Sequence, residues 1–188
     1  MRRARFWLWA SFACYVMMGA LGPASADQED SRLDGLFERL KTTENAADAA
    51  ALQQRIWQIW IESEDVSISQ LMRRGMTAMS RGDHDLALDA FDKLVKQAPD
   101  FAEAWNKRAT VLYLMGRLDE SVNDIRQTLA LEPRHFGALS GLSLIYDAVE
   151  KPEAAIRSLE AALEINPHLQ GTEERIRSLR EKSKGTKT

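Results

Sequence analysis

Residues 71–99, LMRRGMTAMSRGDHDLALDAFDKLVKQAP, return twice further along the chain with the same order of large, small and turn-forming side chains. The prolines that close the three copies, Pro99, Pro133 and Pro167, lie 34 residues apart. Before each proline, four further positions also keep the size of their side chain in all three copies. Two of them are large: Leu71, Trp105 and Leu139 at the first, and Phe91, Ile125 and Leu159 at the second. The other two are small: Gly75, Ala109 and Ser143 at the first, and Ala87, Ser121 and Ala155 at the second. Such a period indicates an array of repeated supersecondary units.

Each copy has the features of a helical hairpin. Leu86, Ala87, Ala90, Phe91, Leu94 and Val95 form one apolar stripe at helical spacing. Asp83 is suited to cap that helix, and Pro99 ends it because proline lacks an N–H and clashes with the preceding turn. Asp100 with Glu103 reads as a capping box for the next helix, and Pro152 suits a first helical turn. One hairpin cannot bury its apolar face alone, so we expect the copies to stack.

The pattern resembles the tetratricopeptide repeat, whose unit is a helix–turn–helix of 34 residues. We assign three units, at 68–101, 102–135 and 136–169. Ser121 and Thr128 depart from the family pattern, where Ala is usual, and Glu150 replaces the glycine found at the other two turns. The resemblance implies an all-α fold, a right-handed solenoid of antiparallel helix pairs, and it names no reaction.

The segments on either side of the repeats are also helical in pattern. Residues 27–67 read as a diverged helical hairpin that serves as an N-terminal cap, and residues 170–182 as a closing, solvated helix before a disordered tail at 183–188. We expect Trp57, Trp60 and Ile61 to pack onto the helix that starts near Ile68. The alternative is that Trp57, which lies off the main stripe, is partly exposed and contacts a partner.

The chain begins with a basic stretch, an uncharged run at 6–22 and the small residues Ala24-Ser25-Ala26. This is the pattern of a secretory signal peptide at 1–26, with cleavage after Ala26. The alternative is an uncleaved anchor, since a run of 17 residues is at the lower limit for crossing a bilayer. Loss of this segment would remove Cys14, the single cysteine, and leave 22 basic against 28 acidic side chains.

The composition and motifs argue against several functions. A net-acidic chain without a long basic run is poorly suited to nucleic acid. His84, His135 and His168 stand at turns in no metal-ligand spacing, and we read them as surface loop residues. There is no Gly-rich phosphate loop and no nucleophile elbow. We therefore expect no catalytic residues, no metal, no cofactor and no enzymatic activity.

In the family that the pattern resembles, the first helices of successive units line a concave groove that takes peptides or helices. The corresponding positions here are Met72, Arg73, Met76 and Met79 in the first unit, Asn106, Lys107, Thr110 and Tyr113 in the second, and Ser140, Gly141, Leu144 and Asp147 in the third. Met76 and Met79 suit either groove exposure or packing between helices. The carboxylate-clamp positions hold Met72, Met76, Lys107, Gly137 and Gly141, so we expect no clamp for C-terminal carboxylates. The combined change Lys107→Glu and Met72→Asp is expected to abolish binding without unfolding.

These observations predict an exported, non-enzymatic scaffold or adaptor, periplasmic in a bacterium, that binds a protein segment in its groove. The methionines suit an apolar partner, and Arg73, Asn106 and Lys107 suit an acidic residue on an amphipathic helix. After signal cleavage the chain would have no membrane contact, and its oligomeric state stays open. The alternatives are a factor anchored in the inner membrane that self-associates through its repeats, and an accessory subunit of an enzyme.

Overall fold

The computed structural model describes residues 30–185, and the predicted signal segment lies outside them. The described part is all-α, with nine helices packed in sequential pairs, which confirms the predicted fold class. The helices are α1 (Arg32–Thr42), α2 (Ala46–Ile61), α3 (Val66–Ser80), α4 (His84–Gln97), α5 (Ala102–Leu114), α6 (Leu118–Leu131), α7 (Phe136–Ala148), α8 (Pro152–Ile165) and α9 (Thr172–Gly185). No helix in residues 30–185 combines the length and apolar character needed to cross a bilayer.

The turns within the three repeat units share one backbone conformation. Gly82 and Gly116 have φ of 74°, and Glu150 holds the same turn in the third unit with φ of 55°. The left-handed region is open to glycine and strained for glutamate, so the third turn keeps its shape against the preference of its residue. The Asp83 carboxylate accepts the N–H of Leu86 as the cap of α4, and Pro152 occupies the first turn of α8, as the sequence predicts.

The small positions of the repeat allow the two helices of a unit to touch. Gly75 of α3 lies under the ring of Phe91 in α4, and a Cβ built at the glycine would stand 2.5 Å from the ring carbons. In the second unit, Ser121 replaces the usual alanine and remains buried because its hydroxyl donates to the carbonyl of Ala109 at 2.7 Å. Thr128 likewise donates to the carbonyl of Asp124. The two departures from the family pattern therefore leave no unpaired hydroxyl.

The N-terminal hairpin, formed by α1 and α2, does not extend the array as the next unit in line. Its apolar face packs against the third repeat, in one cluster with Phe136 and Ala162. Leu139, Ile165 and Leu169 border the same cluster. The prediction that Trp57 and Trp60 pack onto α3 is therefore wrong, since both indoles lie against His135 and Phe136. Ile61, by contrast, lines a cavity with Met72 of α3.

The C-terminal helix α9 covers the last repeat. Ile176 and Leu179 join Ala155 and Leu159 of α8 in one buried cluster. The Lys182 ammonium contacts the Asp147 carboxylate at 2.7 Å, which ties the end of α9 to α7. The helix continues to Gly185, so the predicted start of a tail at residue 183 is wrong, and residues 186–188 lie outside the described part.

Candidate functional site

The candidate site is the predicted groove, the surface formed by α3, α5 and α7 as the first helices of the three units. Most of its predicted residues do reach a surface: Arg73, Met76 and Thr110 are exposed, and Met79, Lys107, Tyr113, Ser140 and Leu144 are partly buried. Met72 and Asn106 are buried. Met79 packs against the core of the first unit, so its packing role is the one observed.

Met72 and Met76 lie one helical turn apart in α3 with different roles. Met72 is only 2% exposed and belongs to the core between α3 and α4. Met76 is 37% exposed and lines an open cavity of about 570 Å³ together with Arg73 and Ile61. Met72 is therefore unsuited to a direct binding role, and an aspartate there would place a charge in the core. Met76 is the methionine that offers apolar surface to a partner.

Lys107, the predicted cation of the groove, already has partners within the chain. Its ammonium lies 2.8 Å from the carboxylate of Glu103, one turn earlier in α5, and 5.1 Å from the centre of the Trp57 ring. Glu103 is buried and also accepts a hydrogen bond from the Asn106 side chain at 2.8 Å. Burial opposes ionisation of Glu103, but Lys107 and His135 together hold the pKa of this carboxyl below its usual value. Lys107 thus serves the internal network and is not a free cation.

His135 completes this network and corrects the expectation that the histidines lie at the surface. It is fully buried, and its Nε2 lies 2.7 Å from the Glu103 carboxylate. Its Nδ1 accepts the N–H of Ala138 at 3.0 Å and so caps α7. Since one nitrogen accepts, the other carries the proton, and Nε2–H donates to Glu103. The pair joins the first helices of the second and third units.

Trp57 and Trp60 of the N-terminal hairpin cover this network. The Trp60 ring stacks on His135 with centroids 4.1 Å apart and planes tilted by 10°. The Trp57 and Trp60 rings meet edge to face, with their centroids 5.2 Å apart. The Trp57 ring also lies against the backbone of Gly137, and a Cβ added to this glycine would stand 2.5 Å from Cη2 of Trp57. Such aromatic contacts contribute beyond their buried area. The positions of Lys107 and Gly137, which would serve a carboxylate clamp, are therefore covered by an indole.

Polar contacts hold the edges of the hairpin. Arg134, in the loop between the second and third units, contacts Asp34 of α1 at 2.6 Å and lies 4.5 Å from the centre of the Phe37 ring. The same guanidinium bonds the buried Glu132. The Gln53 amide donates to Asn166 at 3.4 Å. These contacts place the hairpin over the loops that connect the repeat units.

The hairpin leaves a small cavity between α5 and α7. Asn106, Thr110, Tyr113, Gly141 and Leu144 border this cavity of about 60 Å³. The Thr110 and Ser140 hydroxyls donate to backbone carbonyls of their own helices. This part combines apolar surface with one phenol and short polar side chains, which suits contact with a protein segment. Among residues 30–185, no cluster of His, Cys, Asp and Glu is arranged to hold a metal ion.

Comparison with known proteins identifies the family. A model described as tetratricopeptide repeat matches residues 72–125 and 107–169. A TPR repeat-containing protein of Rhizobium etli is 35% identical over 157 residues, a match that covers 84% of this chain and 77% of that protein. The chain therefore belongs to the tetratricopeptide repeat family. A BBSome complex member BBS4 homolog of Drosophila melanogaster is 27% identical over 130 residues, covering 69% of this chain and 26% of that protein.

Solved structures agree on the fold. The Sgt2 TPR domain from Aspergillus fumigatus superimposes with a TM-score of 0.61 at 18% identity, covering 65% of this chain and 83% of that domain. The first TPR of Spaghetti (RPAP3), bound to the HSP90 peptide SRMEEVD, gives a TM-score of 0.59 at 21% identity, covering 61% and 91%. At 18–21% identity these superpositions define the fold and do not identify a ligand, so the ligand is inferred from the residues of the groove.

Proposed function

We propose that the protein is an exported, non-enzymatic scaffold of the bacterial periplasm that binds a protein segment in its concave groove. The observation that carries the proposal is the surface of α3, α5 and α7, where the exposed Met76 and the partly buried Tyr113 and Leu144 offer apolar area to a partner. Peptide binding is the usual activity of this fold, and the structural neighbour from RPAP3 holds a peptide. Export is supported by the basic, apolar and small-residue pattern of 1–26.

The partner we propose is an apolar or amphipathic helix and not a C-terminal carboxylate. A clamp would need free cations and amides at Lys107, Gly137 and Gly141, and here Lys107 is paired with Glu103 while the glycines have no side chain. An acidic residue on the helix can instead meet Arg73, which is exposed at the open cavity beside α3. Methionine next to that cavity adapts to varied apolar shapes.

The test is crosslinking of the tagged protein in cells, with mass spectrometry of the captured partners and of the N-terminus of the protein itself. A protein that starts at Asp27 and captures one dominant envelope protein supports the proposal. A protein that retains Met1 and captures mainly copies of itself favours the anchored, self-associating alternative.

A pair of matched variants locates the site. Met76→Asp changes an exposed apolar residue in the groove, and Leu86→Asp changes one of similar exposure, 36% against 37%, on the second helix of the same unit. Loss of the partner with Met76→Asp alone supports the groove. Equal capture by both variants would place the binding surface elsewhere.

A further inference from the structure

We infer that the N-terminal hairpin, residues 32–61, is an internal ligand of the concave groove, which an external helix of the same chemistry displaces. The inference rests on the proposed function, since it assigns both the regulation of the groove and the class of its partner. Its starting point is the indole of Trp57, which occupies the position between Lys107 and Gly137 where a groove ligand would lie.

The hairpin has the features of a ligand and not of a repeat unit. Its side chains Leu33, Leu40, Ile56 and Ile59 are fully buried, which two short helices cannot achieve by themselves. The cover comes from the third unit and from the loops between units. It therefore depends on its contacts with the repeats for its fold, as helices that fold on binding do.

The repeats share one apolar cluster with the hairpin, through Phe136 and Ala162 of the third unit, and their other cores do not use it. The described residues form three other apolar clusters, spanning α3 to α5, α5 to α7 and α7 to α9, and these contain no side chain of α1 or α2. Neighbouring units of a solenoid stabilise one another through such contacts. Departure of the hairpin would leave these three clusters intact. It would expose His135, Phe136 and Glu103 together with the side chains of the third unit that border the hairpin, which are Leu139, Ala162, Ile165 and Leu169.

The covered surface defines the partner. A helix that replaces α2 must bring two aromatic side chains three residues apart, one to stack on His135 and one to lie over Gly137 beneath Lys107. An i and i+3 pair lies on one helical face. The partner is thus an amphipathic helix with an aromatic-x-x-aromatic pattern, of which Trp57 and Trp60 are the built-in example.

The connection to α3 allows release without unfolding. Four residues, 62–65, link the end of α2 at Ile61 to the start of α3 at Val66. Glu62 and Asp65 are both extended, and the Asp65 carboxylate caps α3 through the N–H groups of Ser67 and Ile68. The cap belongs to α3 itself, so α3 keeps its first turn when α2 leaves.

The test uses the full chain and a fluorescein-labelled synthetic peptide of residues 45–62, followed by fluorescence anisotropy. The releasing variant is Trp57→Ala with Trp60→Ala, and the matched control is Gln58→Ala, an exposed residue of the same helix. We expect the releasing variant to bind the peptide at least tenfold more tightly than the natural chain or the control. Adding Gly137→Leu to the releasing variant should remove this gain, because leucine fills the place of the Trp57 ring.

Hydrogen exchange of α5 to α8 in the same proteins separates the outcomes. If the releasing variant binds the peptide no more tightly than the natural chain and its repeats stay protected from exchange, the hairpin is a fixed structural part. If α5 to α8 lose protection in the releasing variant, the repeats need the hairpin to fold. Either result overturns the inference. Cellular capture that is equal for the natural chain and the releasing variant also contradicts it while the proposed function stands. If the releasing variant gains affinity for the peptide but no partner is captured in cells, the proposed function alone is contradicted.

Discussion

The Trp57 indole lies so close to Gly137 that a Cβ at the glycine would stand 2.5 Å from Cη2 of the ring. Gly137→Ala should therefore push α2 away from α7 and weaken the docking of the hairpin. We expect the opening free energy of residues 46–61, measured by hydrogen exchange, to fall by at least about 1 kcal/mol through overpacking. Protection of α4, whose apolar cluster contains no side chain of the hairpin, should stay as it is.

Gly35→Ala is the control for that change. The added methyl at Gly35 of α1 meets nothing within 4 Å. Alanine is preferred to glycine in a helix, so this variant should be stabilised by about 0.5–1 kcal/mol. Equal protection of α2 in the two variants would contradict the close contact.

Gly75→Ala tests the packing within the first unit. The new methyl would overlap the Phe91 ring, which is fully buried and cannot swing into solvent. We expect the free energy of unfolding to fall by about 1–3 kcal/mol, seen as a lower thermal midpoint. The double variant Gly75→Ala with Phe91→Leu should recover part of the loss. No recovery would mean that the glycine is needed for another reason.

Arg108 ties the first unit to the second. Its guanidinium bonds both oxygens of Asp124 at 2.7 Å and one oxygen of Asp92 at 2.8 Å, thus joining α4, α5 and α6. The hydrogen bonds that Arg108 donates to Asp124 raise the pKa of Arg108, while burial opposes the charge. Arg108→Ala should leave the buried Asp124 unpaired and lower the free energy of unfolding by about 2 kcal/mol, measured in urea.

Arg117→Ala is the comparison for Arg108→Ala. Arg117 pairs with Glu120 three residues away, and both side chains are exposed. Surface pairs of this kind contribute little, so its urea midpoint should match that of the natural chain. Similar losses in both variants would show that Arg108 contributes only an ordinary surface charge.

The repeats were predictable because the same sequence pattern occurs three times along the chain. Period, turn glycines and small positions fix where each helix pair begins, ends and touches. The cap at Asp83 and the place of Pro152 in the first turn of α8 follow local rules and were correct. The capping box at Asp100 and Glu103 was wrong: Phe101 and not Asp100 is the N-cap residue of α5, and Glu103 bonds Lys107 and His135.

The position of the hairpin was not predictable, for a physical reason. The stripes on α1 and α2 indicate that one face is buried but not against which surface. Two signals pointed to the correct arrangement. Gly137 in α7 is the first, since a glycine is expected where another element approaches closely. Glu103 stands one turn before Lys107, so a partner for the lysine was already present in α5.

Stability should depend on pH through Glu103. The folded-state pKa of this carboxyl lies below its unfolded value of about 4.5, so the ionised form favours the folded state. The contribution should be complete above about pH 4.5 and should be lost as the pH falls through the lower, folded value. Glu103→Gln removes the charge but keeps an acceptor for Lys107 and His135.

We expect Glu103→Gln to be less stable than the natural chain by about 2 kcal/mol at pH 7, where a charged hydrogen bond is lost. The two thermal midpoints should converge as the pH approaches 3, because the natural side chain is then protonated too. Glu64→Gln serves as a control at the surface, since the Glu64 side chain is exposed. A constant difference between the Glu103 variant and the natural chain across this range would contradict the linkage.

The third turn offers a stabilising change. Glu150 holds φ of 55°, whereas the equivalent Gly82 and Gly116 hold 74° without cost. Glu150→Gly should raise the free energy of unfolding by about 1 kcal/mol, because glycine adopts the left-handed region freely. The reciprocal change Gly82→Glu should lower it by a similar amount, since nothing within 4 Å of Gly82 would meet an added Cβ and only the backbone preference changes. Urea unfolding measures the free energy of unfolding of both variants. Changes of the same sign in the two would show that the backbone conformation does not decide the stability of these turns.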